Sequence, residues 1–325
     1  MTTDPAFLLF EVEVRAVTRL TPSFLRITFT GDELERFADN GDDQRINLVL
    51  PGPDGGPLVP PAPTDGSEDD HGWYTHWLAL PHEQRNPLRT YTVRQVRTEQ
   101  REVDVDFVLH GDGGPASRWA GSVAIGDPAQ LVGPNVRHAG STRATGWNPP
   151  PGRPDLLIVG DETAVPAVAS ILEGLPTDAR GRVLIEVPDP DDVLPLTAPD
   201  GVRIEWMPRR GRAHGALLAP AVRLAAEMML AGVTPAPVPA PPNPTDLADL
   251  ADLGDVEALD EDPDELWDVP EPLEQPTTAG VYAWLAGEAG CIAGLRRHLV
   301  KELGLDRRSV AFMGYWREGV ARSDN

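Results

Sequence analysis

The amino-acid sequence predicts a two-domain chain of β plus α/β class, an antiparallel six-stranded barrel followed by an open parallel sheet. Two features predict it. As far as about residue 135, short stretches of alternating or wholly apolar residues are broken by turn residues at barrel-like spacing. From Arg153 onward, unbroken apolar runs alternate with helix-like stretches, the pattern of parallel strands and the helices that cover them. At 325 residues the chain is long enough for two cores. The expected division is a first domain over 1–140, a linker over 141–153 and a second domain over 154–325. An acidic, proline-rich insertion at 231–279 interrupts the last.

Each element follows from local pattern. Phe7 to Val17 starts apolar and then alternates, as a half-buried strand does. Ser23 to Thr30 repeats with period two, and Arg45–Leu50, Arg89–Arg97 and Arg101–Leu109 extend the series. Gly31-Asp32, the Gly/Pro-rich run over 51–66 and Thr98-Glu99-Gln100 supply turns. Trp147-Asn-Pro-Pro-Pro-Gly152 reads as the junction. Asp155–Gly160 is a strand covered on both faces, and Ala164–Glu173 a helix. Arg182–Val187 and Val202–Trp206 are strands, followed by a helix over His214–Leu230. Gly280–Leu285, Glu288–Leu303 and Ser309–Met313 add strand, helix and strand. Within the insertion only Leu266-Trp267 offers an apolar anchor. The rest is expected to be mobile, because proline and acid at this density bury little surface.

Composition narrows the function classes. A formal net charge of −23 argues against a nucleic-acid partner, which needs clustered cations. Thirteen acidic and no basic residues fall in 231–280, so about −10 remains elsewhere. Lys301 is the only lysine, so nearly every fixed positive charge is a guanidinium, suited to two-point contacts with phosphates and carboxylates. One cysteine excludes an internal disulfide, a zinc cluster or a thiolate iron–sulfur centre. No apolar run reaches membrane-spanning length and the first residues do not resemble a signal peptide, so a cytoplasmic protein is expected.

Two motifs in the barrel half point to a cofactor. Arg89-Thr-Tyr-Thr92 opens a strand, with Arg89 and Tyr91 on one face and Thr90 and Thr92 on the other. A flavin asks for such a set: an aromatic ring, hydrogen-bond donors and a cation for its diphosphate. Asp106-Phe-Val-Leu-His-Gly111 runs into Gly114-Pro-Ala-Ser-Arg-Trp-Ala120, a strand, a glycine turn and a helix start. Backbone N–H groups at a helix start attract a diphosphate, Ser117 adds a hydroxyl, and Gly113, Gly114 and Ala116 leave room. Taken singly, each motif also fits an ordinary strand or strand–turn–helix. Gly111 to Ala116 matches the dinucleotide pattern G-x-G-x-x-G/A in form only, since it lies in the antiparallel half and Pro115 lacks an N–H. In the parallel half Gly160-Asp-Glu-Thr-Ala-Val-Pro-Ala167 turns from a strand's carboxyl end into a helix, where open sheets bind ligands.

In this order the motifs resemble the siderophore-interacting protein family of FAD-dependent ferric-siderophore reductases. The resemblance extends to Trp284-Leu-Ala-Gly-Glu288 and Gly314-Tyr-Trp-Arg-Glu-Gly319 and covers nearly the whole chain. It implies a ferredoxin-reductase-like fold whose barrel binds FAD. Arg89, Thr90, Tyr91 and Thr92 would meet the flavin, with Asp106, Phe107, Val108, Leu109 and His110 nearby. Gly114, Pro115, Ala116 and Ser117 would cradle the pyrophosphate. Asp161, Glu162, Thr163 and Ala164 would lie between FAD and NADPH or NADH, with Tyr315 and Trp316 from the last motif completing the cofactor set. The substrate implied is a ferric siderophore, released as iron(II). No protein nucleophile or metal ligand is implied, in keeping with the lack of a triad, HExxH or CxxC motif.

Some residues depart from that pattern or stay open. The family's Val-Lys-Leu on the third strand is Ile46-Asn47-Leu48 here, so the substrate pocket loses a lysine that Arg45 or Arg94 would have to replace. Arg45, Arg296, Arg297 and Lys301 are the candidate substrate-binding cations, the last three alternatively forming ion pairs on an exposed helix. Arg209, Arg210 and Arg212 are either a grip for a 2′-phosphate, favouring NADPH, or a solvated basic turn. His71, His76 and His82 read as scattered surface histidines rather than metal ligands. Two other functions remain: a flavin reductase serving a protein partner, and a flavin-free siderophore-binding or iron-trafficking protein.

Overall fold

The computed structural model describes residues 4–51, 77–81, 84–109, 114–139, 144–152, 154–232, 267–269 and 280–319. Six strands close a barrel in the order β1-β2-β5-β4-β3-β6: β1 (Phe7–Arg19), β2 (Phe24–Thr30), β3 (Arg45–Val49), β4 (Leu88–Arg97), β5 (Glu102–Val108) and β6 (Pro128–Pro134). β1 is long enough to serve two neighbours. Phe7–Glu13 pairs with β6 and Glu13–Arg19 with β2, and an irregularity between Val14 and Ala16 lets the strand turn between them. Its alternation holds where expected, with Phe10, Val12 and Val14 buried and Glu11 and Glu13 exposed. Five barrel strands follow the sequence pattern. The sixth, β6, was expected in number but carries no clear signal, because prolines end it and only Leu131-Val132 form an apolar pair.

The second sheet runs β10-β12-β11-β7-β8-β9, with β7 (Asp155–Gly160), β8 (Gly181–Val187), β9 (Val202–Pro208), β11 (Val281–Glu288) and β12 (Val310–Trp316) parallel and the two-residue β10 (Trp267–Asp268) at one edge. Central β7 and β11 are continuously apolar because helices or the barrel cover both faces. Helix α1 (Pro115–Ser122) belongs to the barrel. α2 (Val165–Gly174) packs on the sheet face that also receives Phe24 of the barrel. α3 (Leu218–Leu230) and α4 (Ala289–Arg297) cover the opposite face with Leu157, Val159 and Phe312. None of the described helices is long and apolar enough to cross a membrane.

Several elements differ from expectation. α3 starts at Leu218 rather than His214, because Gly215 turns with φ +78° and the buried Glu186 carboxylate accepts from the N–H groups of Gly215, Leu217 and Leu218. α4 gives way to a π turn at His298–Glu302. β12 runs on to Trp316, three residues past the expected end. Trp267-Asp268 forms a short β10 antiparallel to β12, so the backbone of the expected anchor pairs with the sheet at Trp267, while Leu266 lies outside the described residues. The rest of the insertion lies outside the described residues, apart from Ala231, Gly232 and Val269, as do His71, His76 and His82.

Buried carboxylates bind barrel and sheet together. Asp192, on the turn after β8, accepts from the Thr21 hydroxyl and from the Ser23 N–H and hydroxyl at 2.8–2.9 Å. Asp43, before β3, accepts from the N–H groups of Gly146 and Trp147 at 2.9 Å and from the Trp284 indole at 3.2 Å. Trp147 is itself buried, edge-on to Tyr282 with ring centres 5.3 Å apart. The junction is thus an anchored strap. Arg94 of β4 adds an ion pair to Glu173 of α2.

Candidate cofactor and substrate site

A cleft of about 220 Å³ lies where the barrel meets the carboxyl end of the parallel sheet. Its barrel wall is Arg45, Arg89, Thr90, Tyr91, Thr92, Asp106, Val108 and Ser117, and its sheet wall Thr163, Pro166, Tyr315 and Trp316. Residues far apart in the chain converge here because β4 and β5 are neighbours in the barrel while β7 and β12 both end at the same rim.

On the barrel side the Tyr91 ring leans on Phe107 with centres 4.4 Å apart. Burial pushes the Tyr91 phenol up, which keeps it neutral. Arg89 donates to the Leu88 carbonyl at 2.8 Å, and Thr90 donates to the Asn47 side-chain oxygen at 2.9 Å. Thr92 is buried, and Tyr315 lines the same cleft from the sheet side. Asp106 is held by a two-point pair with Arg26 at 2.7 and 2.8 Å. Its charge is therefore matched inside the barrel.

Other expected residues serve the frame. Phe107 is fully buried in the barrel core, and Ala116 and Leu109 pack with it, so their side chains do not line the cleft. Ala164 is fully buried beneath Gly160, where a β-carbon would stand 2.5 Å from that of Ala164. At the start of α1, Gly114 has open space where a β-carbon would lie and no side chain caps the helix. His110 lies outside the described residues, as do 111–113 and the side chain of Pro115.

On the sheet side Asp161 is a strut. One carboxylate oxygen accepts from the Thr163 N–H and hydroxyl at 2.9 and 2.5 Å; the other accepts from the Glu288 N–H and the Trp316 indole at 2.7 and 2.9 Å. Gly287, at φ +148°, is needed there because a β-carbon would fall 2.6 Å from that second oxygen. Glu162 faces away from the cleft. It is fully buried and takes a two-point pair from Arg209 at 2.6 and 2.7 Å, with Glu186 3.5 Å from the same guanidinium. Arg209 is thereby withdrawn from gripping a 2′-phosphate, and Arg212 donates to the Arg209 carbonyl, which leaves Arg210 exposed on the turn.

Burial, with Glu162 beside it, pushes Asp161 up to about 7. Between the ordinary carboxylate range and that value the folded chain binds more protons than the unfolded chain, so this group's contribution to stability falls as pH rises. Asp161→Asn has no proton to lose. It should melt below the native protein at about pH 5 and close part of that gap by about pH 8. A gap independent of pH would exclude the assignment.

Of the four candidate substrate cations only Arg45 reaches the cleft. Its Nε donates to the Ala144 carbonyl at 3.2 Å, and burial pushes its guanidinium down. Arg296, Arg297 and Lys301 sit on α4 and the π turn after it, which cover the sheet face opposite the barrel; Arg296 stacks on Phe312 at 4.3 Å. Arg94 is occupied by Glu173. Sequence reasoning missed Pro166, which lines the cleft, and Asp43 and Asp192, which hold its two walls in register. The partners of Asp43 lie 103 and 241 positions away, so no local pattern reveals them.

A closed antiparallel barrel joined to a parallel sheet, with a cleft at their seam, is a ferredoxin-reductase-like FAD-binding fold. Residues 13–138 match a family model described as the siderophore-interacting FAD-binding domain, and residues 153–319 one described as siderophore-interacting protein. The chain belongs to the siderophore-interacting protein family. It is 40% identical over 204 residues to an uncharacterized protein of Mycobacterium tuberculosis, covering 62% of this chain and 65% of that one. It is 32% identical over 198 residues to the ferric vibriobactin reductase ViuB of Vibrio cholerae, covering 58% and 63%. The match thus spans just under two thirds of either relative. An NADPH-dependent ferric-chelate reductase of Escherichia coli is 33% identical over 213 residues, 64% of this chain and 75% of that one. Among solved structures, a siderophore utilization protein from T. fusca aligns with TM-score 0.67 and 27% identity over 98% of this chain and 96% of that one.

The cleft's chemistry fits FAD. Tyr91, Val108 and Pro166 give apolar walls for a flat ring, hydroxyls of Thr90, Ser117 and Thr163 surround it, and Arg45 and Arg89 bring positive charge for a dianionic diphosphate. The uncapped start of α1, eight residues long, adds backbone donors beside open space at Gly114.

Proposed function

We propose that this chain is a flavin-dependent ferric reductase that draws electrons from NADH or NADPH and delivers them to iron(III) held in a siderophore, releasing iron(II). The observation that carries the reading is the composite cleft: the Arg89–Thr92 strand forms one wall and Thr163, Tyr315 and Trp316 the other. When bound, FAD supplies acceptance of a hydride and release of electrons one at a time. The chain's own residues bind and orient. Tyr91 and Val108 support the ring system, and Arg89 and Ser117 face its phosphates together with the start of α1. Asp161 holds Trp316 by its indole N–H, so the nicotinamide side of the cleft is walled by a ring in fixed orientation.

The relatives named as ferric reductases support the iron step, and the carboxyl rim of the parallel sheet is where such sheets receive a dinucleotide. The test uses protein loaded with FAD and kept free of oxygen. NADH or NADPH should bleach the flavin absorbance, and a ferric chelate should restore it while a ferrous indicator develops colour. Bleaching without iron(II) release would favour a reductase serving a protein partner. A protein that takes up no FAD would reject the proposal.

A further inference from the structure

A second recess of about 220 Å³ adjoins the cleft, sharing Arg45 and Thr90 with it and otherwise lined by Phe7, Ile46, Asn47, Val132 and Ala144. We propose that this recess is the substrate's seat and selects a ferric chelate of low net charge, of the tris-hydroxamate kind, over a trianionic tris-catecholate. The inference rests on the reading of the chain as a ferric-chelate reductase and adds the class of chelate.

Charge matching carries it. Among the described lining residues Arg45 brings the sole formal charge, and its Nε is already engaged with the Ala144 carbonyl. Asn47 offers a neutral amide, its oxygen accepting from Thr90. Phe7, Ile46, Val132 and Ala144 make the remaining wall apolar. A trianion entering such a recess sheds its hydration and meets one guanidinium, and an anion left short of partners in a dry site is costly. Among the described residues, Arg94 pairs with Glu173 and Arg296 lies on the far face of the sheet. The chain's net charge of −23 opposes the approach of a trianion as well. A neutral tris-hydroxamate complex presents carbonyl oxygens that one guanidinium and one amide can serve, and its aliphatic spacers suit the apolar walls.

Gallium(III) chelates test the seat without electron transfer, because gallium(III) matches iron(III) in charge and size and is not reduced. FAD-loaded native protein is titrated with neutral gallium(III) desferrioxamine E and with trianionic gallium(III) enterobactin, following the flavin absorbance and the heat of binding. The expected result is about tenfold or more tighter binding of the neutral chelate. Asn47→Lys should shift that ratio toward the trianion by about tenfold. Equal or tighter binding of the trianion by the native protein would overturn the proposal. So would an Asn47→Lys protein that retains FAD yet leaves the ratio unchanged. Because no electrons move, failure here leaves the reductase reading intact, and failure of flavin bleaching leaves this preference measurable.

Discussion

Arg209→Met melts roughly 10 °C below the native protein, the expectation for losing the partner of a buried carboxylate. Arg209 is 6% exposed and Glu162 fully buried, joined by two bonds of 2.6 and 2.7 Å, with Glu186 3.5 Å away on the same guanidinium. Removing the cation leaves two carboxylates together in a dry site, which costs about 3–5 kcal/mol. The accompanying change Glu162→Gln removes one of those charges, so the double variant should recover part of the loss. Arg94→Ala is the contrast. Its partner Glu173 is 55% exposed, so water replaces the lost contact and the melting point should stay within a few degrees. Melting curves of the four proteins settle the point. If Arg209→Met melts with the native protein, the network is not what holds the rim of the sheet.

Arg89→Ala should bind FAD about 10- to 100-fold more weakly, the range expected when one charge-assisted contact to a phosphate is lost. Arg89 lines the cleft beside Tyr91 and Thr92, on the strand that faces the start of α1 across β5. Arg89→Lys keeps the charge but loses the planar fork, so it should fall between. Stripping the flavin and titrating it back, with quenching of flavin fluorescence as the signal, measures each affinity. Arg94→Ala, on the same strand but tied to α2, serves as the control and should bind as the native chain does. An unchanged affinity in Arg89→Ala would move the diphosphate away from this strand.

Among its described lining residues the recess beside the cleft holds one guanidinium, whereas the three cations on α4 and its π turn that the sequence offers for a siderophore lie behind the sheet. A helix rich in arginine at its end reads the same in sequence whichever face of a sheet it covers. Here its Ile292, Leu295 and Leu299 bury against the face away from the barrel, and that choice sets Arg296, Arg297 and Lys301 away from the cleft.

Local pattern was enough to read the two architectures, most strands, the Arg89–Thr92 and Gly114–Ser117 motifs and the family, because each depends on period, turn chemistry or a contiguous string of residues. Which of those residues meet was left to packing between distant segments. It sent Phe107 and Ala164 into cores, turned Glu162 from the cleft to Arg209, and carried β12 far enough to bring Tyr315 and Trp316 opposite Thr92. It also drew Asp43 and Asp192 into the seam. The physical reason is the same throughout. A buried charge must find its partner wherever the fold supplies one, and for these residues the partners lie between 47 and 241 positions away, beyond the reach of any local pattern.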